Sequence, residues 1–202
     1  MRKIFYVVIL LLPFVANAQK EDISKYLVGA VPVVNGQVTF DKTYETPGKT
    51  KDELFSLLKG YTQSQILNGP NHLEQCAITE SDSINGVLAA SVEEYLYFKK
   101  KAWVSHYVRF YYQLIYRIQD GQFSIQLRRI NYLYDDERSS DEEYRAEDWI
   151  VDSEALNSDK TKLTRIAGKF RKFTIDRKDE IFRGAALAAG AVLPKKIIYV
   201  DE

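Results

Sequence analysis

Two periods divide the chain. Apolar and polar residues alternate, as in a strand, through Gly86–Lys99 and from Tyr107 to Tyr134. A three-to-four-residue spacing, that of a helix, marks Thr50–Gln65 and the stretch after Asp176. In Gly86–Lys99, Leu88, Ala90, Val92, Leu96 and Phe98 fall on one face, and Ser91, Glu93, Tyr95 and Tyr97 on the other. In the next arm Val108, Phe110, Tyr112, Leu114, Tyr116 and Ile118 share a face. Asp120-Gly121 turns the chain, and Phe123, Ile125 and Leu127 line the returning arm. The phase then slips to Ile130, Tyr132 and Tyr134. One extra residue at Arg128-Arg129 accounts for the slip, so the pattern predicts a β-bulge there.

The flanks carry local signals. Asn35-Gly36 sits between Val31, Val33, Val34 and Val38, which predicts a hairpin. Thr50-Lys51-Asp52-Glu53 is a capping box, and Leu54, Leu57, Leu58 and Tyr61 follow at helical spacing until Asn68-Gly69-Pro70. Leu73–Thr79 reads as a short strand and Ser83–Gly86 as a turn. Asp135–Glu147 reads as a charged connector. Asp148–Leu163 reads as irregular, with a turn or two of helix anchored by Trp149 and Ile150. Asp176 is placed to cap a final helix carrying Ile181, Phe182, Ala185 and Ala186, with Gly190 as its stop and Pro194–Val200 as a last strand. The fold class is α+β: an antiparallel sheet of about five to seven strands, the Thr50–Gln65 helix on its apolar face, and a C-terminal extension ending in a helix. The segments divide into residues 1–18, an α+β domain over 19–134, and the extension over 135–202.

Residues 1–18, MRKIFYVVILLLPFVANA, have a basic start, an apolar run too short to span a bilayer, and small residues at Ala16 and Ala18. They read as a secretory signal peptide cleaved after Ala18, and no Cys follows to take a lipid. The expectation is an exported protein, periplasmic or secreted, with no transmembrane segment in the mature chain. Cleavage removes Arg2 and Lys3 and no acid, leaving 26 basic against 28 acidic side chains. A net charge near −2 together with export argues against a nucleic-acid partner. The single Cys76 excludes an internal disulfide. It lies in Cys76-Ala77-Ile78, which reads as strand core.

Chemistry is sparse. His72 and His106 are the only histidines, and neither has a Cys or second His at metal-ligand spacing. The acids of Asp135–Glu143 lack the alternation and central Gly of a calcium loop. No Gly-x-Ser-x-Gly elbow, phosphate loop or dinucleotide fingerprint occurs. No cofactor or metal is expected, and no catalytic residue is assigned. The candidate site is the polar side of the strands: Tyr95, Tyr97, Arg109, Tyr111, Gln126 and Arg128, with Gln113 and Arg117 beside them. Interleaved Tyr and Arg on a sheet suit stacking on a ligand or a protein partner. The alternative is cover by the chain's own last 60 residues.

Several segments resemble an exported bacterial family, a domain of unknown function with a TATA-box-binding-protein-like fold. The resemblance lies in Tyr26–Gly36, Pro47–Glu53, Glu93-Glu94-Tyr95-Leu96, Tyr112-Gln113-Leu114 and Arg129-Ile130-Asn131-Tyr132. It extends to Ala146–Ile150, Lys160–Leu163, Gly168–Arg171 and Thr174-Ile175-Asp176. It implies a curved antiparallel sheet with helices on the convex side. It implies no activity, and likeness to a DNA-binding fold does not carry DNA binding with it. The function expected is a non-catalytic envelope module that binds a ligand or protein; the alternative is a hydrolase acting on envelope polymers.

Overall fold

The structure is a computed structural model describing residues 22–101, 104–134 and 142–193. The signal-peptide reading, the acids at 135–141 and the strand expected at 194–200 lie outside the described residues. Val33–Val34 (β1) and Gln37–Glu45 (β2) form the first hairpin. Asn35 and Gly36 in its turn have φ of 51° and 77°, the left-handed region that both residue types tolerate. Lys51–Tyr61 (α1) starts at the expected box: Thr50 Oγ1 accepts from the Glu53 N–H, and the Glu53 carboxylate accepts from the Thr50 N–H. The helix widens into a π-helical turn over Thr62–Leu67 and stops at Asn68.

Ala77–Asp82 (β3), Val87–Lys101 (β4), Val104–Gln119 (β5) and Gln122–Tyr134 (β6) follow. The bulge is present. Arg129 has φ of 52°, and three steps of β6, from Arg128 to Asn131, oppose two of β5, from Gln113 to Tyr111. Among the described residues the strands make one antiparallel sheet of seven, in the order β1-β2-β6-β5-β4-β3, with Glu142–Arg145 (β7) paired to the end of β6. Ala146–Trp149 (α2), Asp152–Ala155 (α3) and Ala167–Ala188 (α4) complete the chain.

The helices share one face of the sheet. Phe40, Leu88, Val92, Phe110, Leu114, Ile125 and Leu127 are buried there beneath Leu54 and Leu58 of α1 and Ile181, Phe182 and Ala185 of α4. Each such side chain contributes about 1.5–3 kcal/mol on burial, which holds the two layers together. Ile150 is fully buried, and Trp149 meets Phe170 edge-on, as anchors of the irregular stretch.

Three expectations need correction. First, Asp176 does not cap the final helix. α4 starts at Ala167, and the mid-helix Asp176 carboxylate accepts from Lys25 Nζ at 2.6 Å and the Tyr26 hydroxyl at 2.7 Å. The early turns escape an apolar pattern because two polar residues, Arg171 and Thr174, sit on the buried stripe. Arg171 is fully buried and donates to the carbonyls of Tyr26 (2.6 Å), Leu27 (2.6 Å) and Ile150 (2.9 Å), tying the N-terminal segment to the helix. Thr174 Oγ1 meets the Tyr132 hydroxyl at 2.6 Å. Second, the expected connector is in part strand: Glu142–Arg145 pairs with β6, and Tyr144 stacks on Trp149 at 4.6 Å. Third, the strand expected at Leu73–Thr79 runs from Ala77 to Asp82. Cys76 lies just ahead of it, half-buried, its thiol donating to Glu93 O at 3.0 Å. At the other end of α4, Gly190 has φ of 70° and Ala191 N–H reaches back to Ala186 O at 2.8 Å, the expected helix stop.

Candidate binding face

Strand alternation turns the expected site residues away from the helices, and register sets their spacing. Tyr97 pairs with Tyr107 across β4 and β5. The next outward-facing row is Tyr95, Arg109 and Leu133, and the one after it Glu93, Tyr111 and Asn131. Ser91, Gln113, Arg128 and Thr39 follow, then Ala89, Ile115, Gln126 and Asp41. All six expected residues share the face. Tyr95, Tyr97, Arg109 and Tyr111 are neighbours at one end, and Arg128 joins them through its Nε–H donated to Gln113 Oε1 at 3.0 Å. Gln126 lies apart, about 27 Å along the strands from the Tyr97 row, in a row with Ile115.

Two residues belong to the patch that were not among the six. Tyr107 closes a three-ring cluster, its centroid 4.8 Å from Tyr95 and 5.6 Å from Tyr97. It has the same strand parity as Arg109 and Tyr111, a signal that places it on this face, while its place in the ring cluster comes from its register with Tyr97. Glu93 has that parity with Tyr95. It is only 4% exposed, with Oε1 3.9 Å from Arg109 Nη1 and Oε2 without a hydrogen-bond partner among the described residues. Burial, and then the bond to Glu93, raises the Tyr111 hydroxyl above its ordinary pKa, against the opposing pull of Arg109.

The α4 extension covers the opposite face, not this one: its contacts run to α1, β4 and β2 on the helix side. There Arg177 grips Glu94 through two 2.7 Å bonds, and the Tyr112 hydroxyl donates to the same carboxylate at 3.2 Å. Burial opposes the charge on Arg177, but Glu94 outweighs it and holds the guanidinium above its ordinary pKa. A cleft of about 500 Å³ opens between α4 and β4, with Arg177 and Arg183 on one side and Tyr95 and Tyr97 on its rim. The histidines stand apart: His72 bridges to Glu94 through the main chain, and His106 is exposed on β5. Among the described residues no three His, Cys, Asp or Glu side chains gather in a group that could hold a metal ion. No helix among them is long and apolar enough to cross a membrane.

An open antiparallel sheet with every described helix on one side and a polar-aromatic second face defines the class of fold. Residues 40–133 match the family described as a domain of unknown function (DUF4468) with TBP-like fold. A crystal structure of a DUF4468 family protein from Bacteroides ovatus is 33% identical, covers 86% of this chain and 98% of its own, and superposes with a TM-score of 0.76. The chain belongs to the DUF4468 family. A TBP-like protein from Parabacteroides distasonis, 19% identical over 79% of this chain and 97% of its own, shares the fold with a TM-score of 0.65. No curated protein matches the chain.

Proposed function

We propose that the chain is an exported envelope protein working as a non-catalytic binding module, and that the Tyr/Arg face holds its ligand or protein partner. One observation carries this reading. Tyr95, Tyr97, Tyr107, Arg109 and Tyr111 adjoin on the sheet face opposite every described helix. Tyr and Arg combine large contact area with polar tips, the pairing most enriched at binding hot spots. A preassembled ring cluster also loses little side-chain freedom when a partner arrives.

The test is a pair of substitutions, Tyr97→Ala with Tyr107→Ala, in the mature chain. Both side chains are at least partly exposed. The reading expects stability within about 1 kcal/mol of the parent and loss of whatever the parent captures from envelope extract. Unchanged capture would move the site elsewhere. A large loss of stability would make the cluster structural.

A further inference from the structure

We propose that the outer edge of β2 is a strand-addition site for an extended peptide bearing carboxylates at alternate positions. This surface is separate from the Tyr/Arg face and does not depend on it. One edge of β2 pairs with β6 from Thr39 to Glu45. On the other edge β1 reaches only Gln37 and Val38. Beyond it, Thr39 N–H donates outward to Pro32 O at 3.0 Å, and Glu45 O accepts from Val192 N–H at 3.2 Å. Every second residue of an antiparallel strand turns its main-chain groups the same way. Thr39 and Glu45 face outward, so Asp41 and Thr43 between them do as well. Neither has a main-chain partner on that side among the described residues. Their two N–H and two C=O groups form a short open ladder.

A wall stands beside this ladder. α4 runs past β2 and leaves a cleft of about 440 Å³ between Lys42 and Tyr44 of β2 and Lys178, Phe182 and Arg183 of α4. A smaller cleft of about 180 Å³ continues it past Phe40 to Pro32. A strand edge with a helix alongside is a geometry in which an added strand takes affinity from main-chain bonds and selectivity from alternate side chains entering the cleft. The cleft sets the chemistry of those side chains. Three cations, Lys42, Lys178 and Arg183, face one acid, Asp179. The rings of Tyr44 and Phe182 give an apolar floor on which the stem of a Glu side chain can lie. Lys178 rests over the Phe40 and Phe182 rings, 5.5 and 5.7 Å from their centroids, and its ammonium pairs with Asp179, so Lys42 and Arg183 supply the balance of positive charge. An acidic, extended segment is therefore the fitting occupant.

The experiment uses residue-resolved amide hydrogen exchange on the full mature chain, alone and with a blocked heptapeptide alternating Glu and Thr. In the free protein, Phe40, Lys42 and Tyr44 amides, which face β6, should be protected, while Asp41 and Thr43 exchange fast. The peptide should slow Asp41 and Thr43 by at least about tenfold. A peptide alternating Lys and Thr should not. Lys178→Glu should weaken binding by about tenfold; if that variant fails to fold, Lys42→Glu on the exposed strand reads the same charge. Thr43→Pro removes an outward N–H without touching the β6 ladder and should abolish the effect. The proposal is overturned if Asp41 and Thr43 are already protected in the free chain, which would give the edge to residues 194–202 or to a second copy. It is equally overturned if the Glu/Thr peptide leaves their exchange unchanged, or if the Lys/Thr peptide slows it as much.

Discussion

Arg171→Met removes three hydrogen bonds at once while keeping most of the side-chain volume. The guanidinium donates to Tyr26, Leu27 and Ile150 carbonyls, and its Nη2 lies 2.7 Å from Asp152 Oδ1. Tyr26 and Ile150 are 2% and 0% exposed, so at least those two acceptors lose their partner away from water. An unsatisfied buried acceptor costs about 1–3 kcal/mol, giving about 2–6 kcal/mol for the pair. Against this, the methionine no longer has to be desolvated as an ion, which offsets part of the loss. The net expectation is about 3 kcal/mol. At a urea m-value of about 2 kcal/mol/M this lowers the denaturation midpoint by about 1.5 M. Asp152 supplies a second readout. Burial alone would raise its pKa, but the Gly29 N–H and Arg171 together hold it below the ordinary 3.8. A depressed carboxyl adds stability that is present above the unfolded value and lost as pH falls through the folded one. In Arg171→Met the folded carboxyl returns toward its ordinary value, so the part of the acid-side loss that comes from Asp152 should shrink. Arg171→Lys, with one ammonium for three divergent carbonyls, should recover only part of the stability. An Arg171→Met protein within about 0.5 kcal/mol of the parent would refute the reasoning, because the N-terminal segment would then be held by apolar packing alone.

Three further outcomes are expected. Phe182→Ala should cost about 3–5 kcal/mol in chemical denaturation, since the ring is 4% exposed between α4 and the sheet; an unchanged midpoint would make α4 a detachable appendage. Burial raises the Tyr112, Tyr116 and Tyr132 hydroxyls above the ordinary 10.0 and pushes Tyr61 up to about 12, so the neutral forms stabilise the fold below pH 10 and that contribution is lost as pH rises beyond it. Phenolate absorbance should therefore climb in two phases, the second coinciding with unfolding, and a single phase with intact circular dichroism would contradict this. The exported protein should begin at Gln19 by mass spectrometry, and an intact Met1 in the membrane fraction would sink the export reading.

The parts of the fold that follow a period were legible. Leu88 to Phe98 and Val108 to Ile118 fixed the sheet's two faces, and the phase slip at Arg128-Arg129 located the bulge because one inserted residue must invert every side chain after it. What escaped depended on tertiary partners. Arg171 and Thr174 sit at core positions only because Tyr26, Ile150 and Tyr132 supply partners for their polar atoms, so no apolar stripe announced the first turns of α4. β7 has four residues, two of them Glu, and is a strand because β6 overhangs to receive it. Glu94 occupies a core-facing position that alternation would give to an apolar residue; Arg177, distant in sequence, makes it tolerable. For the site, parity told which residues share a face. It could not tell that Tyr107 completes the ring cluster or that Gln126 lies far from it, because those distances come from register across three strands.

The most direct test of the binding face is site-specific photocrosslinking in the cell that makes the protein. A benzoylphenylalanine in place of Tyr97 puts the reactive group in the Tyr95–Tyr107 cluster, and one in place of Ser56 puts it on the exposed side of α1, behind the sheet. The account predicts a discrete, light-dependent adduct from position 97 and none from position 56. Adducts from both positions alike, or from position 56 alone, would contradict it.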